Sequence, residues 1–368
     1  MSAGRGWLYF ADPMTDHGLA PAAQVLVETA LKLRVGERVV VIEDAASLPI
    51  GDAVAAAVEA GGGWVKRARL DRLGSAGGSG RPHKVVPDLL LQALRDADAS
   101  VFVASALPAE LTMRQALLHV VRQRGLRHAH LPGVAADGFV AGMRLDYAQV
   151  ERLGQRVLGR LSGATSILAD SPAGTSLRVD LAPDARWFAQ LGVLAPGRWG
   201  NFPAGAIYTS PASASGVFVA DASVGEFFGA REGVLRTNPV RILIDGGRVV
   251  GVESRSTQLK RDIEAMLRVS PNSDRIGLVS IGVNPGLDAP VGDALVDQNM
   301  PGLHLGIGDP AAKTTGATWS APTCFAVCEA ASRVVVDGEV IVEAGRVVLA
   351  SRRKMPATRI STPVPGAG

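Results

Sequence analysis

The periodicity of the apolar residues changes near residue 165, and this change constrains the fold more than any other feature of the chain. Upstream, segments with helical periodicity at residues 21–33, 52–60, 86–95 and 109–122 alternate with apolar runs at residues 39–42, 64–70 and 100–104. Short strands separated by helices of this length are typical of a parallel sheet with crossover helices. The sequence therefore predicts an α/β N-terminal domain with a parallel sheet over residues 1–162.

Strand signals dominate the second half, which a helix predicted at residues 145–161 connects to the first. Asp-Gly turns at residues 245–246 and 337–338 lie between alternating apolar residues, and this is the strongest short-range signal of a hairpin. One clear helix is predicted, at residues 258–268. We therefore expect an α+β, β-rich catalytic-type domain over residues 163–350 and a mobile tail over residues 351–368.

Composition excludes several classes of function. The chain has 368 residues, of which 47% are hydrophobic and 20% charged, so it can bury the cores of two domains. Its formal net charge is +3, carried mostly by scattered arginines, and no basic run with interleaved aromatics predicts a nucleic-acid groove. The first residues lack the apolar core of a secretory signal, and no apolar run reaches the ~20 residues that cross a bilayer. These features predict a cytoplasmic protein with neither nucleic-acid nor membrane partners.

The two cysteines, Cys324 and Cys328, lie four positions apart in an apolar segment. They could share a helix face or lie in an extended run. A Cys-x3-Cys pair without a second pair or an adjacent histidine is a poor zinc signature, so a reduced, buried pair is expected.

A glycine-rich segment near the C-terminus carries His304, the only histidine in the second half of the chain. The segment GLHLGIGDP (residues 302–310) is followed by GATWSAPT (residues 316–323). Two-metal hydrolases and non-haem iron oxygenases need several His, Asp or Glu groups that converge on one point. The sequence therefore raises the question of whether His304 is the remnant of a metal site.

The order of six motifs resembles the aminopeptidase T family of metallopeptidases, whose superfamily includes the iron-dependent 2,5-dihydroxypyridine 5,6-dioxygenases. The motifs are GTSLRVDL (174–181), GNFPAGAIYTSP (200–211), DRIGLVSIGVNPG (274–286), GLHLGIGDP, TWS (318–320) and VVVDGEVIVEAGRV (334–347). RHAHLPGV (127–134) and GERVVVIED (36–44) resemble its N-terminal domain. The resemblance covers residues 20–350 and implies an α/β domain followed by a β-rich catalytic domain, in a homodimer or higher homo-oligomer.

The resemblance assigns metal ligands to five positions, of which only His304 keeps a ligand residue. Ala206, Leu278, Thr318 and Ser320 occupy the other four. Exchanging carboxylates for apolar residues removes the cost of unpaired buried charges, and one imidazole makes a weak site for Zn²⁺ or Fe²⁺. We therefore expect no metal ligands, no tightly held cofactor and no leucyl aminopeptidase activity.

His304 is the predicted proton-transfer group, since imidazole titrates near physiological pH. Asp309 could orient it or act as a second acid, and Thr318 and Ser320 supply hydrogen-bonding groups. Four further positions are expected to bind substrate: Ala206 and Leu278, which replace ligands, and Asn201 and Lys313, which could fix a carboxylate or carbonyl. Trp319 offers a flat apolar wall.

His128 and His130 are two apart, so they would face the same side of a strand and could reach the cleft between the domains. There they could bind substrate or form a relocated metal site with His304. The alternative is a pair of surface histidines.

Three hypotheses for the function follow. In the first, the chain is a metal-independent enzyme of specialised metabolism that transforms a small polar or heteroaromatic metabolite by hydrolysis, isomerisation or ring opening. In the second, it is a metal-dependent hydrolase or a ring-cleaving, dioxygenase-like enzyme with atypical ligands. In the third, it is a non-catalytic protein that binds a small molecule or a partner. The first is favoured because His304 survives without its former ligand partners.

Overall fold

The computed structural model describes residues 16–74 and 80–349, so the predicted tail at residues 351–368 lies outside the described residues. Its helices are α1 (Asp16–Val25), α2 (Leu48–Ala60), α3 (Asp88–Arg95), α4 (Leu111–Arg124), α5 (Ala136–Gly142), α6 (Tyr147–Leu161), α7 (Glu226–Glu232), α8 (Thr257–Leu267), α9 (Ala294–Asp297) and α10 (Ala312–Thr315). A π-helical turn, Leu26–Ala30, extends α1. None of the described helices is long and apolar enough to cross a membrane.

The strands form three sheets. They are β1 (Arg38–Glu43), β2 (Trp64–Arg69), β3 (Ala99–Phe102), β4 (Arg127–His130), β5 (Ser166–Asp170), β6 (Ser176–Asp180), β7 (Phe188–Gln190), β8 (Trp199–Asn201), β9 (Ala206–Thr209), β10 (Ser213–Ala220), β11 (Ser223–Val224), β12 (Val240–Asp245), β13 (Arg248–Glu253), β14 (Ile276–Gly282), β15 (Gly302–Gly308), β16 (Cys324–Cys328), β17 (Arg333–Val336), β18 (Glu339–Glu343) and β19 (Arg346–Val347).

The first sheet is parallel throughout and has the order β2-β1-β3-β4-β8. Helices cover both faces of this sheet, so its strands are buried on both sides, and the apolar run Val39 to Ile42 of β1 is buried throughout. The predicted α/β architecture with a parallel sheet is confirmed. The edge strand β8 comes from the second half of the chain, which the periodicity did not predict because β8 is only three residues long.

The other two sheets are antiparallel. The second sheet has the order β13-β12-β10-β6-β5-β17-β18-β19, and the third has the order β11-β16-β15-β14-β9-β7. One face of each contributes to a shared core, with Phe218 and Ile242 from the second sheet and Val279 and Leu305 from the third. The β-rich class expected for this part of the chain is confirmed.

Helix bounds follow the predictions to within a few residues. The helix predicted at residues 145–161 is α6, which begins at Tyr147. Asp146 caps its N-terminus by accepting a hydrogen bond from the Ala148 N–H. The helix predicted at residues 258–268 is α8. The short helices α5, α7, α9 and α10 went unpredicted because four to seven residues show too little periodicity. The domain boundary at residue 162 stays a prediction, since β8 joins the first sheet while β7 and β9 belong to the third.

Candidate active site

A cavity of about 170 Å³ lies on the face of the third sheet that points away from the shared core. Strands β7, β9, β14, β15 and β16 contribute its floor, and Asn201 of β8 brings in the edge of the first sheet. The polar lining residues are Gln190, Asn201, Tyr208, Ser280, Gln298 and His304.

Strand register explains why these side chains meet. Ser280 of β14 pairs with Tyr208 of β9 on one side and with His304 of β15 on the other. Partners in an antiparallel pair point to the same face, so the three residues form one row across the sheet. The alternate residues Val279 and Leu305 point to the opposite face, into the core.

Gly306 lines the cavity, and the lack of a side chain at this position makes room for it. A Cβ atom at this position would lie 3.0 Å from Leu278 Cβ and 3.4 Å from Cys324 Sγ. A larger side chain would therefore displace these lining residues or fill the cavity.

His304 is a neutral imidazole with both ring nitrogens in hydrogen bonds. Its side chain is buried, Nε2 lies 2.9 Å from the carbonyl oxygen of Met300, and Nδ1 lies 3.4 Å from the backbone nitrogen of Glu329. Nε2–H therefore donates to Met300, and Nδ1 accepts from Glu329. Burial lowers the pKa of His304 to about 4, against the opposing effect of the Met300 bond. Proton exchange with a substrate would require the ring to give up one of these bonds.

Ser280 carries a buried hydroxyl that is short of a partner. Its Oγ is shielded from solvent and finds no hydrogen-bond partner among residues 16–74 and 80–349. Leaving such a group unsatisfied costs about 1–3 kcal/mol, which a bound ligand or water would recover. Ser280 lies in the row between Tyr208 and His304, and all three residues line the cavity, which makes the cavity the candidate binding site.

Tyr208 is a protonated phenol at neutral pH. Burial, with a smaller contribution from the neighbouring Cys324, raises its pKa to about 12. The side chain can therefore donate a hydrogen bond or a proton to a molecule in the cavity.

The remaining polar lining groups are neutral. Gln190, Asn201 and Gln298 offer amides, and neither a carboxylate nor a lysine or arginine belongs to the lining. The site is therefore polar and uncharged at neutral pH, with His304 deprotonated.

This donor set does not fit a catalytic iron or zinc ion. The lining provides one imidazole and one thiol, and both nitrogens of the imidazole are engaged in hydrogen bonds. Across the described ranges, no three His, Cys, Asp or Glu residues are placed to hold a metal together. A catalytic zinc site needs three protein ligands, and a non-haem iron site needs two histidines and a carboxylate.

Four of the sequence-predicted site residues line the cavity: Asn201, Ala206, Leu278 and His304. They come from four different strands, so their convergence could not be deduced from spacing. Tyr208, Ser280, Cys324, Gln190 and Gln298 went unpredicted. The strand alternation could have pointed to Tyr208, which lies two residues after Ala206 and therefore on the same face.

The other candidates from residues 309–320 lie outside the lining. Lys313, Thr318 and Ser320 are exposed, and the Asp309 carboxylate accepts a hydrogen bond from the Ala321 N–H at 3.4 Å. In this segment the chain leaves β15 and does not return to the sheet until β16.

Trp319 packs against an arginine rather than against the cavity. The guanidinium carbon of Arg275 lies 4.1 Å from the centroid of the indole ring, a cation–π contact. The ring is half-buried by this contact and is not part of the lining.

His128 and His130 lie together on β4 but do not line the cavity. A hydrogen-bonded chain links Ser100 Oγ to His128 Nδ1 at 2.8 Å and His128 Nε2 to His130 Nδ1 at 3.1 Å. Burial lowers the pKa of His128 to about 3 and that of His130 well below its usual value. The alternative that these are surface histidines is wrong, because the first sheet buries both.

The cysteines occupy the two ends of β16. Neither forms a disulfide, and Cys328 is buried. Cys324 is exposed and lines the cavity, so the expectation of a buried pair is wrong for this residue. Residues four apart in a strand point to the same face, so the two cysteines differ in exposure although they share a face of β16.

No protein-family model matches this chain, and no curated protein sequence matches it. The solved structures that match this chain include two that cover nearly its whole length. The structure of 2,5-dihydroxypyridine dioxygenase from Pseudomonas putida KT2440 superimposes with a TM-score of 0.63 at 17% identity, covering 91% of this chain and 98% of the other. Wild-type AmpT from Thermus thermophilus superimposes with a TM-score of 0.62 at 16% identity, covering 90% of this chain and 99% of the other.

At such low identities the likeness establishes the fold. The order of sequence motifs and the superposition agree over the same part of the chain. This protein therefore has the aminopeptidase T-like fold that its motifs predict, with an α/β half and a β-rich half.

Proposed function

We propose that this chain is a metal-independent enzyme that binds a small, neutral, polar or heteroaromatic molecule in the cavity beside His304 and transforms it by proton transfer. The observation that carries the proposal is the buried, unsatisfied hydroxyl of Ser280 in an uncharged polar cavity. Buried polar groups are ordinarily hydrogen-bonded, so a ligand or a water molecule beside this hydroxyl would supply the partner that it lacks.

The size of the cavity favours a single ring. Its volume of about 170 Å³ is close to that of the ~150 Å³ engineered cavity that binds benzene. One of the structures that superimpose on this chain is a dioxygenase named for a dihydroxypyridine, which is a ring of this size. Both facts support a monocyclic heteroaromatic ligand.

The absence of charge in the lining favours a neutral ligand. A carboxylate or ammonium group would lose its hydration in the cavity without gaining an ion pair, which is costly. Lys313, which the sequence suggested could bind a carboxylate, is exposed and lies outside the cavity. A free amino acid or a peptide terminus is therefore a poor candidate.

Tyr208 is a lining group that carries a proton at neutral pH and can donate it, or a hydrogen bond, to a molecule in the cavity. The two hydrogen bonds of His304 favour a positioning role over the proton-transfer role that its residue type predicts. In that role the imidazole keeps the Met300 and Glu329 backbone groups satisfied and forms one wall of the cavity.

Replacing Ser280 tests the proposal. We expect chelator-treated protein to bind at least one of 3-hydroxypyridine, 2-pyridone and nicotinamide at millimolar concentrations, measured by titration calorimetry. Ser280→Ala should weaken this binding by about fivefold, because one hydrogen bond contributes about 1 kcal/mol. Thr318→Ala is the matched control, since its hydroxyl is exposed outside the cavity and its loss should leave the affinity unchanged. Binding that Thr318→Ala weakens and Ser280→Ala spares would contradict the proposal.

A further inference from the structure

Cys324 is placed so that a molecule bound in the cavity could contact it. It is exposed at the start of β16, it lines the cavity, and its Sγ fills part of the space that Gly306 leaves open. Cys328, at the other end of the same strand, is buried. Cys324 is therefore the thiol that both solvent and a bound molecule can reach.

A second observation, separate from the exposure of the thiol, points to a ligand in the same cavity. The Ser280 side chain is 8% exposed, lies in the same cavity and has an Oγ without a hydrogen-bond partner in the described part of the chain. A molecule that satisfies this hydroxyl lies on the sheet face between β14 and β16. The inference therefore rests on the proposed binding function of the cavity.

Tyr208 completes the arrangement. It lines the cavity with Cys324 and is close enough that the charge of the thiolate raises the pKa of the phenol beyond the effect of burial. A protonated phenol beside a thiol can supply the proton that an addition reaction consumes.

We propose that Cys324 is a nucleophile that adds reversibly to an electrophilic carbon of the neutral, ring-bearing ligand and that Tyr208 protonates the atom that receives the electron pair. Heteroaromatic nitriles are one chemical class that reacts in this way. With a nitrile, the Cys324 sulfur forms a bond to the nitrile carbon and one carbon–nitrogen π bond breaks. The nitrogen takes the proton of the Tyr208 hydroxyl, and the thiol proton passes to the Tyr208 oxygen. The product is a neutral thioimidate, and the step needs neither an oxidant nor a reductant.

The experiment uses the full chain and 3-cyanopyridine as the probe, with adduct formation followed by intact-mass spectrometry. We expect saturable formation of one adduct, lost in Cys324→Ser. Tyr208→Phe should slow it by about 10²-fold, the lower end of the effect of a general acid. Alkylation of Cys324 by iodoacetamide should keep its rate in Tyr208→Phe, because that reaction needs no proton donor. Protection of the buried Cys328 from iodoacetamide confirms that each variant is folded.

Two results would overturn the inference. One is adduct formation that does not saturate and proceeds equally fast in Tyr208→Phe and in the unaltered protein. The other is the absence of an adduct in protein that binds nicotinamide or another neutral ring, which would leave the binding function standing and remove the covalent step. If no neutral ring binds and no adduct forms, both proposals fail together.

Discussion

At the residue scale, the surroundings of His304 decide its chemistry more than its residue type does. An isolated imidazole would exchange protons near neutral pH. On β15 it is buried, its Nε2–H donates to Met300, and Nδ1 accepts from Glu329. The sequence could identify the residue but not these bonds, because both partners are backbone groups, Met300 just before β15 and Glu329 just after β16.

Replacing His304 should change how stability depends on pH. The folded pKa is about 4 and the ordinary value 6.5, so the unfolded state binds more protons between these values. The stabilisation that the neutral ring provides is therefore fully present above pH 6.5 and decreases as the pH falls to 4. In His304→Asn, the slope of the free energy of unfolding against pH should be smaller over this range by about 1.4 kcal/mol per pH unit, measured by urea denaturation. His119→Asn, at an exposed position on α4, should leave the profile as it is, and equal profiles for both variants would contradict the assignment.

Glu329 should show the opposite dependence. Burial raises its pKa from 4.5 to about 7, so the folded state keeps the proton over a range in which the unfolded state loses it. The corresponding stability is present below pH 4.5 and is lost as the pH rises through 7. Gln at this position cannot ionise. In the same urea experiment, the free energy of unfolding of Glu329→Gln should therefore rise above that of the unaltered protein as the pH increases from 4.5 to 7, by about 3 kcal/mol in all. Glu59→Gln, at an exposed position, is the control, and a Glu329→Gln protein without this gain would contradict the prediction.

At the scale of elements, strand register assembles the site. Neighbouring strands bring Tyr208, Ser280 and His304 into one row, although each comes from a different motif. The sequence predicted that Ala206, Leu278 and His304 belong together through the family resemblance, and all three line the cavity. Thr318 and Ser320, which the resemblance places with them, are exposed on the loop between β15 and β16 and do not line the cavity.

Restoring carboxylates tests whether the cavity occupies the position of a metal site. Ala206→Glu combined with Leu278→Glu would place two carboxylates beside His304. Without metal, the variant should lose about 3–5 kcal/mol of unfolding free energy, since buried charges lack partners. Zn²⁺ should restore part of this loss in thermal denaturation and bind measurably in calorimetry. Ala206→Gln with Leu278→Gln has similar volume and no charge, and equal Zn²⁺ binding by both double variants would contradict this placement.

At the scale of the whole molecule, the cavity lies where the two halves meet. Asn201 belongs to β8 of the first sheet, whereas the other strand residues of the lining belong to the third. The periodicity predicted both halves and the parallel sheet, because long helices and apolar strands have clear patterns. It could not predict β8, since pairing between distant segments depends on tertiary contacts. The homo-oligomer and the cytoplasmic location stay predictions.

The ratio of two affinities tests the central claim most directly. Nicotinamide and nicotinate share a ring and differ in whether the substituent is a neutral amide or a carboxylate. With chelator-treated protein in a calorimeter, the uncharged lining predicts that nicotinamide binds at least about tenfold more tightly, because the carboxylate would be desolvated without an ion pair. Equal affinities, tighter binding of nicotinate, or binding of nicotinamide that appears only after Zn²⁺ or Fe²⁺ is added would contradict a metal-independent site for a neutral molecule.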